Sequence, residues 1–289
     1  MIVAEINFIV LLFFLFSYLF AYLFAYLYKM KLLILNPNNG KWCQVMSTCK
    51  NCICIDEKSL HNYDKQYYKL LPISIDEYVK YNGLENNVFK NDISNITLCN
   101  NKSKFTKYML QKFPIHIPKT YYYHFDNETF LNMDPIQLER NKMILKPNED
   151  MGGNDIRAIY TFERNVKPSS IIQEYIDHDE YFVGHFLVFH GKIHTRVYFK
   201  SSEINKNGIK CGAIQNYTDL HTLPIDDSIF SAIFTDLSYS GIADIDFIID
   251  NNKIIIFEIN PRPGGSLLTD CKYFNIFTDE LLQYISLNM

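Results

Sequence analysis

Residues 241–266 limit the possible folds of this chain most strongly, because two apolar runs there flank a short polar turn. The runs are Ala243 to Ile249 and Ile254 to Ile259, and Asp250-Asn-Asn-Lys253 separates them. Apolar runs rich in isoleucine and joined by a turn of this length are typical of a β-hairpin. We therefore predict two antiparallel strands inside a packed sheet.

This hairpin gathers acidic side chains on one face. Alternate side chains of a strand point the same way, so Asp244 lies beside Asp246, and Glu258 beside Asn260. If the turn is centred on Asn252, Asp246 lies opposite Glu258. Two facing carboxylates repel each other unless a cation lies between them. A solvated edge hairpin is the alternative, but the apolar residues between the acids favour a packed sheet.

The donor atoms of this cluster suit a hard divalent cation. Mg²⁺ commonly binds one or two carboxylates and completes its coordination with substrate phosphates. We predict that Asp246, Glu258 and Asn260 bind Mg²⁺, or Mn²⁺ in its place. Arg262, two residues further on, offers a planar fork to a phosphate or carboxylate, and Gly264-Gly265 allows a ligand to approach the backbone.

The run Glu258-Ile-Asn260-Pro-Arg262 resembles the last metal-binding strand of the ATP-grasp family, which reads acidic-x-Asn-x-Arg. The family also places an acid on the partner strand, where Asp246 matches. The resemblance covers roughly Lys102 to Ser266. It implies an α+β fold in which two subdomains with antiparallel sheets clasp ATP. The mixture of helices, strands and hairpins along the chain favours the same fold class.

Other nucleotide-binding elements of the family have counterparts here in the expected order. Lys104 resembles the first nucleotide lysine, and Lys102 is a close alternative because the spacing is ambiguous by one or two residues. Lys146 resembles the second lysine, which reaches the ATP phosphates from a strand end. Gly152 and Gly153 resemble the flexible loop that closes over the phosphates, where backbone N–H groups can cradle anionic oxygens.

The adenosine part of the nucleotide also has matching residues. The run Gln173, Glu174, Tyr175 and Ile176 resembles the hinge strand between the two subdomains, whose backbone reads adenine. Glu180 resembles the acid that holds the ribose hydroxyls. Each match is weak alone, but their order and spacing together favour the family.

The sequence departs from the family pattern near the metal site. Some members carry an arginine two residues before the upstream acid, where this chain has Asp244. Arg262 or Arg196 would then meet the charge of the transition state, and a surface strand arginine is the alternative for Arg196. Arg157, just after the glycine loop, is a weaker candidate for the same role.

The resemblance implies an ATP- and Mg²⁺-dependent ligase. A small-molecule or peptide carboxylate would be activated as an acyl phosphate and attacked by an amine or a thiol. Such chemistry depends on positioning and charge neutralisation, which suits lysines, metal-binding acids and an arginine. The alternatives are a catalytically degraded nucleotide-binding module and a membrane-tethered interaction protein without a nucleotide site.

An apolar stretch from Ile6 to Tyr28 predicts an N-terminal transmembrane helix. About 20 residues span the roughly 30 Å of bilayer hydrocarbon. Lys29 and Lys31 follow it, so the positive-inside rule places the rest of the chain in the cytosol. A cleaved signal peptide would need a basic start, a shorter apolar core and a small-residue cleavage site; a buried or interfacial helix is a further alternative.

These observations divide the chain into a membrane anchor (1–30), a small α/β lobe (31–100) and an ATP-grasp domain (101–289). Within the lobe we predict short strands at Tyr67 to Leu71 and Ile96 to Cys99, and a helix at Ile75 to Tyr81.

Charge and cysteine content argue against a nucleic-acid-binding protein and against a four-cysteine zinc protein. The net charge of −4 and the pI of about 6.1 argue against a general nucleic-acid-binding protein, which usually carries a basic excess. Cys49 and Cys52 form a Cys-x-x-Cys pair near Cys43 and Cys54, but no second such pair completes a four-cysteine zinc site. Reduced thiols are the expected state.

Overall fold

The computed structural model describes most of the chain after residue 29. The described residues are 16, 30–35, 45–46, 48–125, 128–131, 142–148, 156–160, 169–201, 218–268 and 271–288. The predicted anchor, apart from Phe16 and Met30, and the loop with Gly152 and Gly153 lie outside them. No helix in these ranges is long and apolar enough to cross a membrane.

The N-terminal part of the described chain is a small parallel sheet with helices. The strands are β1 (Lys31–Leu35), β2 (Cys52–Ile55) and β3 (Tyr68–Leu70), in the order β2-β1-β3. A 3₁₀ helix (Glu57–Asn62) lies between β2 and β3, and the α-helices α1 (Ile75–Tyr81) and α2 (Ile93–Asn100) follow. The strand predicted near residues 67–71 and the helix at 75–81 are confirmed.

The strand predicted at Ile96 to Cys99 is wrong, because this segment belongs to helix α2. The Asp92 side chain caps the helix by accepting a hydrogen bond from the Ser94 backbone N–H at 2.8 Å. Ile96 and Cys99 are buried three residues apart, which is helical spacing. A short apolar run is compatible with either a strand or a helix. The capping residue Asp92 is the local signal that favours the helix here.

The middle of the chain forms a five-stranded antiparallel sheet. Helix α3 (Lys102–Lys112) and a 3₁₀ turn (Pro114–His116) lead into β4 (Thr120–Phe125), β5 (Glu128–Leu131), β6 (Met143–Pro147), β7 (Arg157–Ile159) and β8 (Ser170–Glu174). The strand order is β5-β4-β8-β6-β7. Its own small core contains Tyr121, Met143, Leu145, Ile159 and Ile172.

A second five-stranded antiparallel sheet follows. Its strands are β9 (Tyr181–Phe189), β10 (Lys192–Ser201), β11 (Thr218–Leu220), β12 (Gly241–Asp250) and β13 (Lys253–Asn260), in the order β11-β10-β9-β12-β13. Helix α4 (Ser228–Asp236) precedes β12, and a 3₁₀ helix (Gly265–Leu268) and α5 (Cys271–Asn288) end the chain. The predicted α+β class with antiparallel sheets is therefore confirmed.

Helix α4 closes one face of this second sheet. The Phe186 ring of β9 lies 5.0 Å from Phe230 and 5.3 Å from Phe234, both on α4. The same core includes Leu32 and Ile34 of β1, so the N-terminal sheet and the second five-stranded sheet share one hydrophobic core. The acidic side chains of β12 and β13 lie on the face away from α4.

Candidate active site

The acidic hairpin has the predicted register. Asn251 and Asn252 form a two-residue turn, and both have positive φ, at 49° and 60°. Positive φ at both positions is the mark of a type I′ turn, which matches the twist of the flanking strands. This turn alone would bring Asp246 opposite Phe257, and one additional residue in β13 brings Glu258 there instead, so that the predicted pair forms and Asp244 lies opposite Asn260.

A β-bulge next to the acids turns one residue towards the middle sheet. Pairing shifts after Asp246, so that Phe247 faces Ile256 and Phe257 is the additional residue. The Phe257 ring then lies 5.0 Å from Nζ of Lys146, which comes from β6 of the other sheet. Bulges are common beside active sites because they redirect side chains.

Two lysines compensate the charge of Glu258. The Lys102 ammonium lies 3.3 Å from Glu258 Oε2. Burial would raise the pKa of the Glu258 carboxyl, but Lys102, a hydrogen bond with Asp246 and Lys146 together hold that pKa below its usual range. Burial also lowers the pKa of Lys146 to about 8, although Glu258 and Asp246 favour its charged form. Two ammonium groups and two carboxylates therefore meet in a partly buried site.

The structure favours Lys102 over Lys104 as the first nucleotide lysine. Both lie on α3, where residues two apart are separated by about 200° around the axis. Lys102 is 8% exposed and contacts Glu258, so Lys104 faces another side of the helix. The assignment of the first nucleotide lysine stays a prediction, and its geometry now favours the alternative, Lys102.

The predicted hinge residues do connect the two five-stranded sheets. Gln173 and Glu174 end β8, and the chain continues through Tyr175 and Ile176 to β9. The buried Gln173 amide donates to Thr120 Oγ1 at 3.2 Å, and Glu174 Oε1 accepts from the Lys119 backbone N–H at 2.7 Å. These two side chains hold the hinge in place.

Glu180 lies at the far end of the hinge, one residue before β9. Its Oε1 accepts a hydrogen bond from Lys200 Nζ at 2.8 Å, and the side chain is half exposed. Ile176 and Phe257 both pack against the apolar cluster around Tyr181, so the hinge and the bulge border the same cluster.

Arg196 does not belong to this site. It pairs across the sheet with Phe186, which pairs with Ala243, whereas Asp244 aligns with His185 on the opposite face. The Arg196 guanidinium lies 3.4 Å from Asp227 Oδ2, just before α4. The structure therefore does not bring Arg196 together with the acids, because the sheet separates them, and its catalytic role stays a prediction without support from the geometry.

Arg262 lies directly after the hairpin. Its backbone N–H donates to Asn260 O at 2.8 Å, and Nη1 donates to Pro263 O at 3.2 Å. Arg157 lies on β7 at the edge of the middle sheet and is exposed. Of the three arginines considered, Arg262 is the one placed next to the acids.

A model of the ATP-grasp domain matches residues 99–266, more than half of the chain. This chain belongs to the ATP-grasp family. A search of curated proteins gave no significant match.

Solved ATP-grasp ligases share the fold. A D-alanine–D-alanine ligase from Bacillus anthracis complexed with ATP aligns with a TM-score of 0.52 at 15% identity, covering 90% of this chain and 97% of that one. An L-amino acid ligase from Bacillus licheniformis aligns with a TM-score of 0.55 at 12% identity, covering 88% and 74%. The D-alanine–D-alanine ligase from Helicobacter pylori gives 0.54 at 12%, covering 88% and 98%. Identities this low establish the fold alone.

Asn148 is a buried residue beside this cluster of charges that the sequence did not reveal. It is 2% exposed and follows Lys146 by two residues. Its backbone O accepts from the Lys102 N–H at 3.1 Å, its side chain hydrogen-bonds to Ser103, and Nδ2 donates to His124 O at 2.8 Å. Asn148 thus fixes one lysine relative to the other.

Proposed function

We propose that this protein is an ATP-dependent ligase that joins a carboxylate to an amine, with a thiol as the other possible acceptor class. The observation that carries the proposal is the meeting of Lys102 and Lys146 with Asp246, Glu258 and Asn260 between two antiparallel sheets.

The reaction would transfer the γ-phosphoryl group of ATP to the carboxylate, and the amine would then displace phosphate from the acyl phosphate. Lys146 and Lys102 would neutralise the ATP phosphates, and Arg262 would contact the transferring phosphoryl group. Fixed positive charges in a water-poor site stabilise such a transition state without reorganising. The hinge backbone from Glu174 to Ile176 would bind adenine, and Glu180 the ribose.

The residues present fit Mg²⁺ or Mn²⁺. Asp246 and Glu258 supply carboxylate oxygens and Asn260 an amide oxygen, the ligands these cations prefer. Within the described ranges, no group of three or more His, Cys, Asp or Glu is arranged to hold a metal ion. Two carboxylates suffice when substrate phosphates complete the coordination. The cation would supply charge neutralisation at the phosphates. In the structure the Lys102 ammonium, 3.3 Å from Glu258 Oε2, compensates this carboxylate.

The test is ADP release by the purified protein with ATP and Mg²⁺. Amino acids and small peptides serve as carboxylates, each with and without an amine or thiol acceptor. We expect ADP release that requires both substrates, and its loss in Glu258→Gln. A mutant that releases as much ADP as the parent would show that the site is misplaced, and no release with any acid would refute the ligase.

We further propose that residues 1–30 anchor the protein to a membrane with the ATP-grasp domain in the cytosol. The apolar stretch from Ile6 to Tyr28, followed by Lys29 and Lys31, supports this. The anchored protein should stay in the membrane pellet after alkaline carbonate washing, and the same chain without residues 1–30 should not. Full release of the intact chain would contradict the anchor.

A further inference from the structure

Strand β9 carries a histidine at its centre. All nine residues of the strand are buried, and His185 is 0% exposed. Burying a polar side chain is costly unless it is hydrogen-bonded. His185 Nε2 lies 2.9 Å from Ser266 Oγ, and the ring contacts Phe199 edge-on at 5.3 Å.

Ser266 belongs to the turn that follows Arg262. This turn, Pro263 to Leu268, lies directly on the acidic face of the sheet. A Cβ atom added to Gly264 would overlap the carboxylate of Asp244 and lie 2.7 Å from His185 Cε1. His185 and Asp244 are cross-strand neighbours, so the turn rests on β9 and β12, and β12 also carries the proposed metal ligand Asp246.

Arg262 depends on this turn for its position. Its guanidinium donates to Pro263 O, and the backbone O of Gly264 accepts from the Leu267 N–H at 3.2 Å. The lysines of the site come from α3 and β6, which are different elements. A loosened turn would therefore displace Arg262 and the backbone of Gly264-Gly265 while leaving Lys102 and Lys146 in place.

We propose that His185 is a positioning residue for phosphoryl transfer. Through Ser266 it fixes the turn that presents Arg262 and the glycine backbone to the transferring phosphoryl group. This inference rests on the proposed ligase function. It assigns a role to a residue that contacts neither ATP nor substrate.

The test compares two buried serines. Ser266→Ala removes the partner of His185. Ser240→Ala is the matched control, because Ser240 is also 4% exposed and its Oγ also makes a hydrogen bond, which it accepts from the His190 N–H at 2.8 Å. We expect Ser266→Ala to lower kcat between about tenfold and about a hundredfold, with KM for ATP changed by less than about twofold. Ser240→Ala should keep the parental kcat.

Two further measurements separate positioning from stability. Amide hydrogen exchange of residues 262–268 should speed up in Ser266→Ala and not in Ser240→Ala, with or without ATP. His185→Phe combined with Ser266→Ala should lower kcat no further than the worse single variant, because the two residues act as one unit. Ser266→Thr, which keeps the hydroxyl, should recover part of the lost kcat.

The outcomes distinguish this inference from the proposed function. If the parent turns over ATP and Ser266→Ala keeps its kcat, or if exchange in residues 262–268 is unchanged, His185 has no positioning role and the ligase stands. If KM for ATP rises while kcat holds, the turn serves ATP binding and the inference is also overturned. A parent that releases no ADP with any acid overturns both.

Discussion

Glu258 is the residue on which the charges of the site converge. Lys102 contacts its carboxylate directly, while Lys146 and Asp246 act on it from the two facing sheets. Such a buried set of charges is stable only when each member has a partner. When ATP binds with a divalent cation, the lysines would pair with the phosphates instead of with Glu258. The two acids would then bind the cation.

The lowered pKa of Lys146 predicts proton uptake when ATP binds. With a pKa of about 8, about half of the Lys146 side chains are neutral at pH 8, and phosphates favour the charged form. ATP affinity should therefore fall as the pH rises through 8. Calorimetry at pH 8 in buffers of different ionisation enthalpy measures the uptake. Lys146→Arg stays charged and should abolish it; equal uptake by the arginine variant would contradict the assignment.

The two lysines of α3 should respond differently to the same substitution. Lys102→Gln should weaken ATP binding by about tenfold or more, since a charge-assisted contact is worth about 1.5 to 3 kcal/mol. Lys104→Gln is the matched control, and we expect ATP affinity within about twofold of the parent. Calorimetric titration with ATP and Mg²⁺ decides the point. Greater loss from Lys104→Gln would restore the assignment made from sequence spacing.

At the scale of elements, regular patterns were predictable and irregular ones were not. The alternation of β12 and β13 and a turn centred on Asn252 predicted the pairing of Asp246 with Glu258, which the structure has. The turn itself lies at Asn251 and Asn252, and the additional residue Phe257 produces that pairing. The bulge at Phe257 has no signature in a run of apolar residues, so its meeting with Lys146 was not predictable. The alternation of residues predicts which face of the sheet a side chain occupies only where no bulge interrupts the strand.

Contacts between segments that are distant in sequence account for the other features that were not predicted. Arg196 is on a predicted hairpin, but its face relative to Asp246 depends on registers across three strands. The sequence spacing allows either Lys102 or Lys104 to be the first nucleotide lysine. Only the orientation of α3 in the fold shows which of them faces Glu258. His185 and Asn148 act through contacts with segments 81 and 45 residues away, which no local pattern reveals.

The turn after β13 predicts a steric effect at Gly264. A methyl group there would meet the Asp244 carboxylate, so Gly264→Ala should lower the free energy of unfolding by about 1 to 3 kcal/mol and reduce turnover. Gly83 is the matched control, because a Cβ there would meet nothing within 4 Å; its change to alanine should be neutral or slightly stabilising. Urea unfolding compares the two. Equal stabilities would show that the turn does not lie against the acids.

At the scale of the whole molecule, the hydrophobic cores divide the chain unevenly. The middle sheet has its own small core, while the N-terminal sheet and the second five-stranded sheet share a large one. ATP would bind where these two bodies meet. The hinge from Glu174 to Glu180 is the direct covalent link between the two five-stranded sheets.

This division predicts where stability is lost after a core substitution. Leu145→Ala in the middle core should cost about 2 to 5 kcal/mol and speed amide exchange in β4, β6, β7 and β8 alone. Leu32→Ala, the same change in the shared core, should speed exchange in both β1 and the second five-stranded sheet. Hydrogen exchange with mass spectrometry resolves these regions. Loosening of every sheet by Leu145→Ala would contradict two separate cores.

The most direct test of carboxylate activation follows an oxygen atom. The acid that supports ADP release is supplied with ¹⁸O in its carboxylate, and the released phosphate is analysed by mass spectrometry. Attack of the carboxylate on the γ-phosphoryl group leaves one carboxylate oxygen on phosphorus when the amine displaces phosphate. We expect one ¹⁸O atom per phosphate, and a Glu258→Gln variant that releases almost none. Phosphate without label would contradict the proposed ligase mechanism.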